Sequence, residues 1–180
     1  MIQPINLTSE QLQVIPFKAD DLERYDDMTG EIYEIFTDER TLQFLPEKRL
    51  YSLEDAEQWM KGAILNFHTG RSYVHFVRSK SSGRLLGMID ILSPAMAREH
   101  YFLSNYPWFI EFYLKGDAQG HSLMSVILPE VIDHIRSQGI DKIGAVVNRK
   151  NKAARRVLEK TGFLYNSPFD LLQDLYEYAV

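Results

Sequence analysis

Trp108-Phe109-Ile110-Glu111-Phe112-Tyr113-Leu114 is rich in β-branched and aromatic residues, and Lys115-Gly116-Asp117-Ala118-Gln119-Gly120 follows it with two glycines. The first segment reads as a strand and the second as a tight loop. Beyond the loop, Leu123, Met124, Ile127, Leu128, Val131 and Ile135 recur at three- and four-residue steps, which predicts a helix that buries one face. Gly139 marks its end, and Pro129 in its interior predicts a kink or a restart. Ile143 to Val147 is a compact apolar run that suits a buried strand. Asn151 is a candidate N-cap for a second helix, whose inner face is Ala153, Ala154, Val157 and Leu158. Gly162 can adopt the left-handed conformation past that helix, folding Phe163 back onto its last turn. The order strand, helix, strand, helix makes the two strands neighbours and parallel.

Outward from this module, Leu12 to Phe17 reads as a short strand, with Pro16 suiting an edge or a strand end. Asp20 and Asp21 open a helix carrying Leu22, Tyr25, Met28, Ile32, Ile35 and Phe36, with a break expected near Gly30. Its other face holds Asp20, Asp21, Glu23, Asp26, Asp27, Glu31 and Glu34, and a solvated helix face is the simpler reading of that charge. Ser52-Leu53-Glu54-Asp55 has the form of a capping box, and the helix it starts points Ala56, Trp59, Met60, Ala63, Ile64 and Phe67 inward. Ser72 to Arg78 and Leu85 to Leu92 read as the strands of a hairpin joined by Ser79 to Arg84. His75 reads as a strand residue packed or hydrogen-bonded in place rather than a catalytic group. Ala95 to Pro107 is the least regular part, with His100, Tyr101, Phe102 and Tyr106, and a packed loop or an oligomer contact is its plain reading. Asp170 to Val180, with Leu172, Leu175, Tyr176, Tyr178 and Val180, suits a last strand closing the sheet.

The chain has 180 residues, 45% hydrophobic and 25% charged, which suits a single domain over 1–180 with an ample core. A net charge of −5 without a concentrated basic face argues against nucleic acid as a partner. No cysteine is present, so disulfides, thiolate metal sites and cysteine catalysis are excluded. Met1-Ile2-Gln3-Pro4 leads into no apolar run and no window reaches the length of a membrane span, so the expectation is a cytoplasmic protein with no membrane partner. The five histidines are scattered and no paired-carboxylate spacing stands out, so no metal is expected.

Asn151-Lys152-Ala153-Ala154-Arg155-Arg156-Val157-Leu158-Glu159-Lys160-Thr161-Gly162-Phe163 resembles the closing helix of the GNAT superfamily of N-acetyltransferases, and most of all its ribosomal-protein-alanine branch, where N-x-x-S-x-x-V-x-E-K-x-G-F is usual. Asp117-Ala118-Gln119-Gly120-His121-Ser122 falls where that family carries its pyrophosphate loop, [RQ]-x-x-G-x-[GA], with Asp117 and Ser122 departing from the pattern. The resemblance implies an α/β (α+β) fold: a mixed, mostly antiparallel sheet with a central parallel strand pair splayed apart, flanked by helices. It implies acetyl-CoA as cosubstrate and an amine acceptor, either a small molecule or a protein N-terminus. A homodimer is compatible with it.

By the same resemblance, the amides of Gln119, Gly120, His121, Ser122 and Leu123 would hold the pyrophosphate. The pantetheine arm would pair like an added strand with Phe112 to Leu114, through Phe112 and Leu114, and Asn151 would lie beside it. The acidic face beginning at Asp20 and the aromatics of the Ala95 to Pro107 loop would border the acceptor. Glu111 is the first candidate for the base that takes the amine's proton, with Asp90 and His100 in reserve. The family's usual acids are replaced by Leu158 and Ala154, so Tyr113 or Tyr165 would have to protonate the leaving thiolate. Those replacements also keep open a second class of protein, a binding module that retains the fold, with or without CoA binding, and has lost turnover.

Overall fold

The computed structural model describes residues 1–179. In chain order the elements are β1 (Leu7–Thr8), β2 (Leu12–Ile15), a 3-10 turn (Ala19–Arg24), α1 (Tyr25–Ile35), α2 (Glu39–Leu42), a 3-10 turn (Pro46–Lys48), α3 (Leu53–His68), β3 (Ser72–Ser79), β4 (Leu85–Leu92), α4 (Pro94–His100), β5 (Trp108–Leu114), a 3-10 turn (Gly116–Ala118), α5 (Leu123–Arg136), β6 (Lys142–Asn148), α6 (Lys152–Lys160), β7 (Leu164–Pro168) and β8 (Gln173–Ala179). The strands form one sheet in the order β1-β2-β3-β4-β5-β6-β8-β7. It is mostly antiparallel, and β5 and β6 are its parallel pair. The mixed α/β fold expected from the sequence is the fold found.

The residues fall into two compact units: 4–90 with 112–119, and 1–3 with 91–111 and 120–180. In the first unit, Met28, Ile32, Ile35 and Phe36 from the α1 segment and Met60 from α3 share a core with Val74, Phe76, Leu85, Met88 and Tyr113. α1 runs unbroken through Gly30, where a break was expected; the irregularity lies ahead of the helix, in the 3-10 segment. There Asp21 accepts the Lys18 N–H at 2.8 Å and turns inward to Arg78 at 2.6 Å, so the inward pull of a buried ion pair tightens the first turn. Ser52 caps α3 by accepting from Asp55 N at 3.1 Å, and Asp55 reaches back to Tyr51 N at 2.9 Å. His75 is fully buried, receives the Ile5 N–H on Nε2 at 3.0 Å and lies 2.8 Å from the Tyr73 carbonyl through Nδ1. It is a strand residue bonded in place.

In the second unit, α5 buries Met124, Ile127, Leu128, Val131, Ile132 and Ile135. Of the kink or restart expected at Pro129, the restart does not occur, and α5 continues through it. An interior proline costs about 3 kcal/mol, whereas six buried apolar side chains contribute roughly 1.5–3 kcal/mol each, so packing outweighs the lost bond. Ala95 to Pro107 is more regular than expected: Ser93 caps a helix by accepting from Met96 N at 3.2 Å, and Pro94 takes its first position. Gly162 has φ 96°, and Phe163 N bonds Leu158 O at 3.0 Å, which folds Phe163 onto the end of α6 as the sequence predicts. The last expected strand is β8, and β7, which the sequence reading missed, lies at the sheet edge; Val180 is outside the described residues.

Candidate active site

Within the second unit, Trp108 is opposite Ile143 and Phe109 opposite Gly144, and among the described residues β5 and β6 pair at these two positions alone. A Cβ on Gly144 would lie 2.6 Å from the Phe109 ring. The glycine is therefore what lets that ring approach β6 closely, and the contact lies where the two strands pair.

The loop before α5 has an unusual backbone. Gly120 has φ 82° and Ser122 φ 58°, the one non-glycine residue with positive φ among the described residues. Ser122 occupies the N-cap position, but its hydroxyl makes no capping bond. The N–H groups of Leu123, Met124 and Ser125 thus have no side-chain cap, and the positive end of a 14-residue helix lies there. His121 and Ser122 are exposed and Leu123 is half-buried. α6 differs: Asn151 Oδ1 accepts from Ala154 N at 3.0 Å, so this side chain is already the cap the sequence suggests.

Within the first unit, the loop leaving β5 is clamped. The Leu114 carbonyl accepts from Thr41 Oγ1 at 2.8 Å and from Gln119 Nε2 at 3.1 Å. Asp38 accepts from Thr41 N at 2.9 Å, and a Cβ on Gly116 would lie 2.6 Å from its carboxylate oxygens. Asp117, one of the two departures from the loop pattern, is exposed to solvent. Phe112 and Leu114 are half-buried.

Glu111 is half-buried, and Tyr101 Oη donates to its Oε1 at 3.0 Å. Tyr101 and Glu111 are ten positions apart, with a loop and the start of β5 between them, and no spacing rule pairs them; the Ser93-Pro94 start of α4 is the signal that would have placed Tyr101 just past a helix end. Tyr113 is buried, its ring edge-on to Phe36 at 5.4 Å with Lys48 Nζ 5.6 Å from its centroid. Tyr165 is 55% exposed in β7, and His100 is exposed at the end of α4. Asp90 is half-buried in β4. Leu158 is buried and Ala154 half-buried, so neither position carries an acid.

The acidic face of the first helical region is partly spent on partners, at Asp21, Glu31 and Glu34. Burial alone would raise the Asp21 carboxyl, but the bonds from Arg78 and Lys18 N–H outweigh it and hold it below its ordinary value. Glu31 pairs with Arg24 at 3.9 Å and Arg84 at 3.6 Å, and Glu34 pairs with Arg84 and Lys115. Asp20, Glu23, Asp26 and Asp27 remain exposed. Among the described residues no group of three or more His, Cys, Asp or Glu side chains could hold a metal ion, and no helix is long and apolar enough to cross a membrane.

Comparisons with known proteins bear on the fold and the family. Residues 12–164 match the family model of the acetyltransferase (GNAT) domain, a match that runs through both units. No curated protein matches the chain. Among solved structures, it is similar to the ribosomal-protein-S5-alanine acetyltransferase from Vibrio fischeri, with a TM-score of 0.74 and 16% identity over 97% of this chain and 96% of that one. It is also similar to RimL, a ribosomal L7/L12 α-N-protein acetyltransferase in complex with coenzyme A, with a TM-score of 0.72 and 16% identity over 99% and 98%. A third similar structure is the microcin C7 self-immunity acetyltransferase MccE with acetyl-CoA and AMP, with a TM-score of 0.69 and 10% identity over 96% and 94%. At these identities the structures speak for the fold, and the family match over most of the length carries the assignment: the chain belongs to the GNAT family of acetyltransferases.

Proposed function

We propose that residues 1–180 act as one domain that transfers the acetyl group of acetyl-CoA to a primary amine, a protein N-terminus or a small amine, by direct attack in a ternary complex. The observation that carries this reading is the uncapped start of α5 behind Gly120 and Ser122, both at positive φ. Backbone N–H groups at a helix N-terminus favour the charge of a pyrophosphate, and Gly120 lets it approach the backbone. Gln119, Gly120, His121, Ser122 and Leu123 are the proposed pyrophosphate segment. Phe112 and Leu114 are the proposed strand edge for the pantetheine arm, with Asn151 beside it. Since the Leu114 carbonyl already accepts two side-chain donors, the Phe112 carbonyl is the better acceptor for an amide of that arm.

In this reading Glu111 takes one proton from the ammonium form of the acceptor, directly or through water. The neutral amine then forms a C–N bond to the thioester carbonyl carbon, the C–S bond breaks as the nitrogen gives up a second proton, and the thiolate takes up a proton, leaving CoA and the acetylated amine. Tyr113 is the proposed proton donor to the thiolate, since Leu158 and Ala154 offer no acid. The chain has no cysteine to form a thioester acyl-enzyme, which supports direct attack.

The first test is thermal unfolding with acetyl-CoA, CoA or ATP. A ligand at about a hundred times its Kd adds roughly 2.7 kcal/mol, which raises the midpoint of a domain this size by roughly 5–10 °C. A rise with both CoA species and none with ATP is expected; equal rises with ATP, or none at all, would remove the donor site. Thiol release with a panel of amines and peptide N-termini then tests transfer. Leu158, buried and apolar where related enzymes carry a tyrosine, favours the binding-module reading instead. A CoA-dependent rise in midpoint with no thiol release from any acceptor would establish that reading.

A further inference from the structure

Tyr101 does little that the packing of its loop requires of its hydroxyl. Its ring is fixed on two sides, by Phe109 at 4.9 Å and Phe169 at 5.2 Å, both edge-on. Its backbone is fixed as well. Its N–H bonds Ala97 O at 2.8 Å, and its carbonyl accepts from Tyr106 Oη at 3.0 Å, while Tyr106 Oη itself accepts the Leu103 N–H at 3.2 Å. Arg98 lies 5.4 Å over the Tyr106 ring. Phe109 in turn is seated on β6 through the space left by Gly144. A phenol held this firmly by its ring and main chain needs no bond from its oxygen to stay in place. Yet that oxygen is aimed at one carboxylate oxygen, Oε1 of Glu111 at 3.0 Å, two residues beyond Phe109 on β5.

A glutamate has three side-chain torsions, and an unheld carboxylate on a strand samples many orientations. Proton abstraction needs a carboxylate oxygen within hydrogen-bond reach of the amine and aligned with it, so a fixed donor on one oxygen has a kinetic effect even when it adds no contact to the substrate. We propose that Tyr101 is a positioning residue for the reaction, fixing the orientation of the Glu111 carboxylate that receives the amine's proton. This rests on the reading of Glu111 as the base. It gives the Phe109, Gly144 and Phe169 contacts one common purpose, which is to aim a hydroxyl at that carboxylate.

The test is steady-state acetyl transfer by the full chain, using the amine that turns over fastest in the panel, with Tyr101→Phe, Glu111→Gln and the double variant. Tyr101→Phe keeps the ring between Phe109 and Phe169. It should lower kcat about tenfold, with the acetyl-CoA dissociation constant and the unfolding midpoint unchanged. Glu111→Gln should lower kcat by roughly a hundredfold or more, and adding Tyr101→Phe to it should lower kcat no further, because Tyr101 acts only through that carboxylate. Tyr106→Phe loosens the same loop without touching Glu111, so it should lower kcat less than Tyr101→Phe does. Full activity in Tyr101→Phe beside a crippled Glu111→Gln would overturn the positioning role and leave the base standing. Full activity in Glu111→Gln would overturn both. An undiminished further fall in the double variant, or equal falls in Tyr101→Phe and Tyr106→Phe, would make Tyr101 a part of loop stability alone.

Discussion

Asp21 shows how far a single residue can depart from what its neighbours in sequence suggest. It stands in an acidic run, Asp20, Asp21 and Glu23, but it is the buried member, bonded to Arg78 and to the Lys18 N–H. Removing one partner of a buried pair leaves the other charge uncompensated, so Asp21→Asn should destabilise the protein by about 3 kcal/mol at neutral pH, measured by urea unfolding. The folded carboxyl lies below its ordinary value, so its contribution is complete above the unfolded value, about 3.9, and is lost as pH falls through the lower folded value. The gap between wild type and Asp21→Asn should therefore close in acid. A gap that stays constant down to pH 2 would mean that the carboxylate charge is not what stabilises this turn. Nothing in the sequence separates Asp21 from Asp20; the side chain that neutralises it comes 57 residues later.

At the scale of elements, two glycines decide how segments meet. Gly116 opens the 3-10 turn after β5, and a methyl group there would run into the Asp38 carboxylate, which is held by Thr41 as the cap of α2. Gly116→Ala should cost about 1–2 kcal/mol, the size of a lost cap. Because the collision is with Asp38, Asp38→Ala should make the second substitution nearly neutral, which a double-mutant cycle in unfolding free energy would detect. Gly144→Ala places its methyl against the Phe109 ring at the start of the parallel pair, and overpacking of this kind costs about 1–3 kcal/mol. It should also lower kcat, since the displaced ring supports Tyr101; unfolding and acetyl transfer measured on one preparation would show whether the two losses appear together. Both elements beside these glycines are legible in the sequence as strand and turn. The close approaches are not, because a glycine that makes room reads the same as a glycine that makes a turn.

At the scale of the whole molecule, the chain passes between its two compact units four times, at 3/4, 90/91, 111/112 and 119/120, and β5 contributes residues to both. A unit assembled from several separate segments loses its core when the segments between them unfold. The expected outcome is one cooperative transition, with calorimetric and van't Hoff enthalpies equal. Two resolved transitions would divide the protein and count against a single domain over 1–180.

The sequence by itself determined the order of the central module, the caps at Ser52 and Asn151, the turn at Gly162, and through them the family. These are features of contiguous residues, and spacing and local chemistry suffice to read them. It left out β1 and β7, which have two and five residues. Strands that short carry no periodicity of their own and exist because a neighbour pairs with them. It put a break near Gly30 and a kink or restart at Pro129, where local propensity is poor, and buried apolar faces carried both helices through. The tertiary structure alone decided which acidic residue is buried, which glycines make room and which hydroxyl meets Glu111. Each of these depends on side chains brought together from distant segments, and the sequence records the segments without recording their meeting.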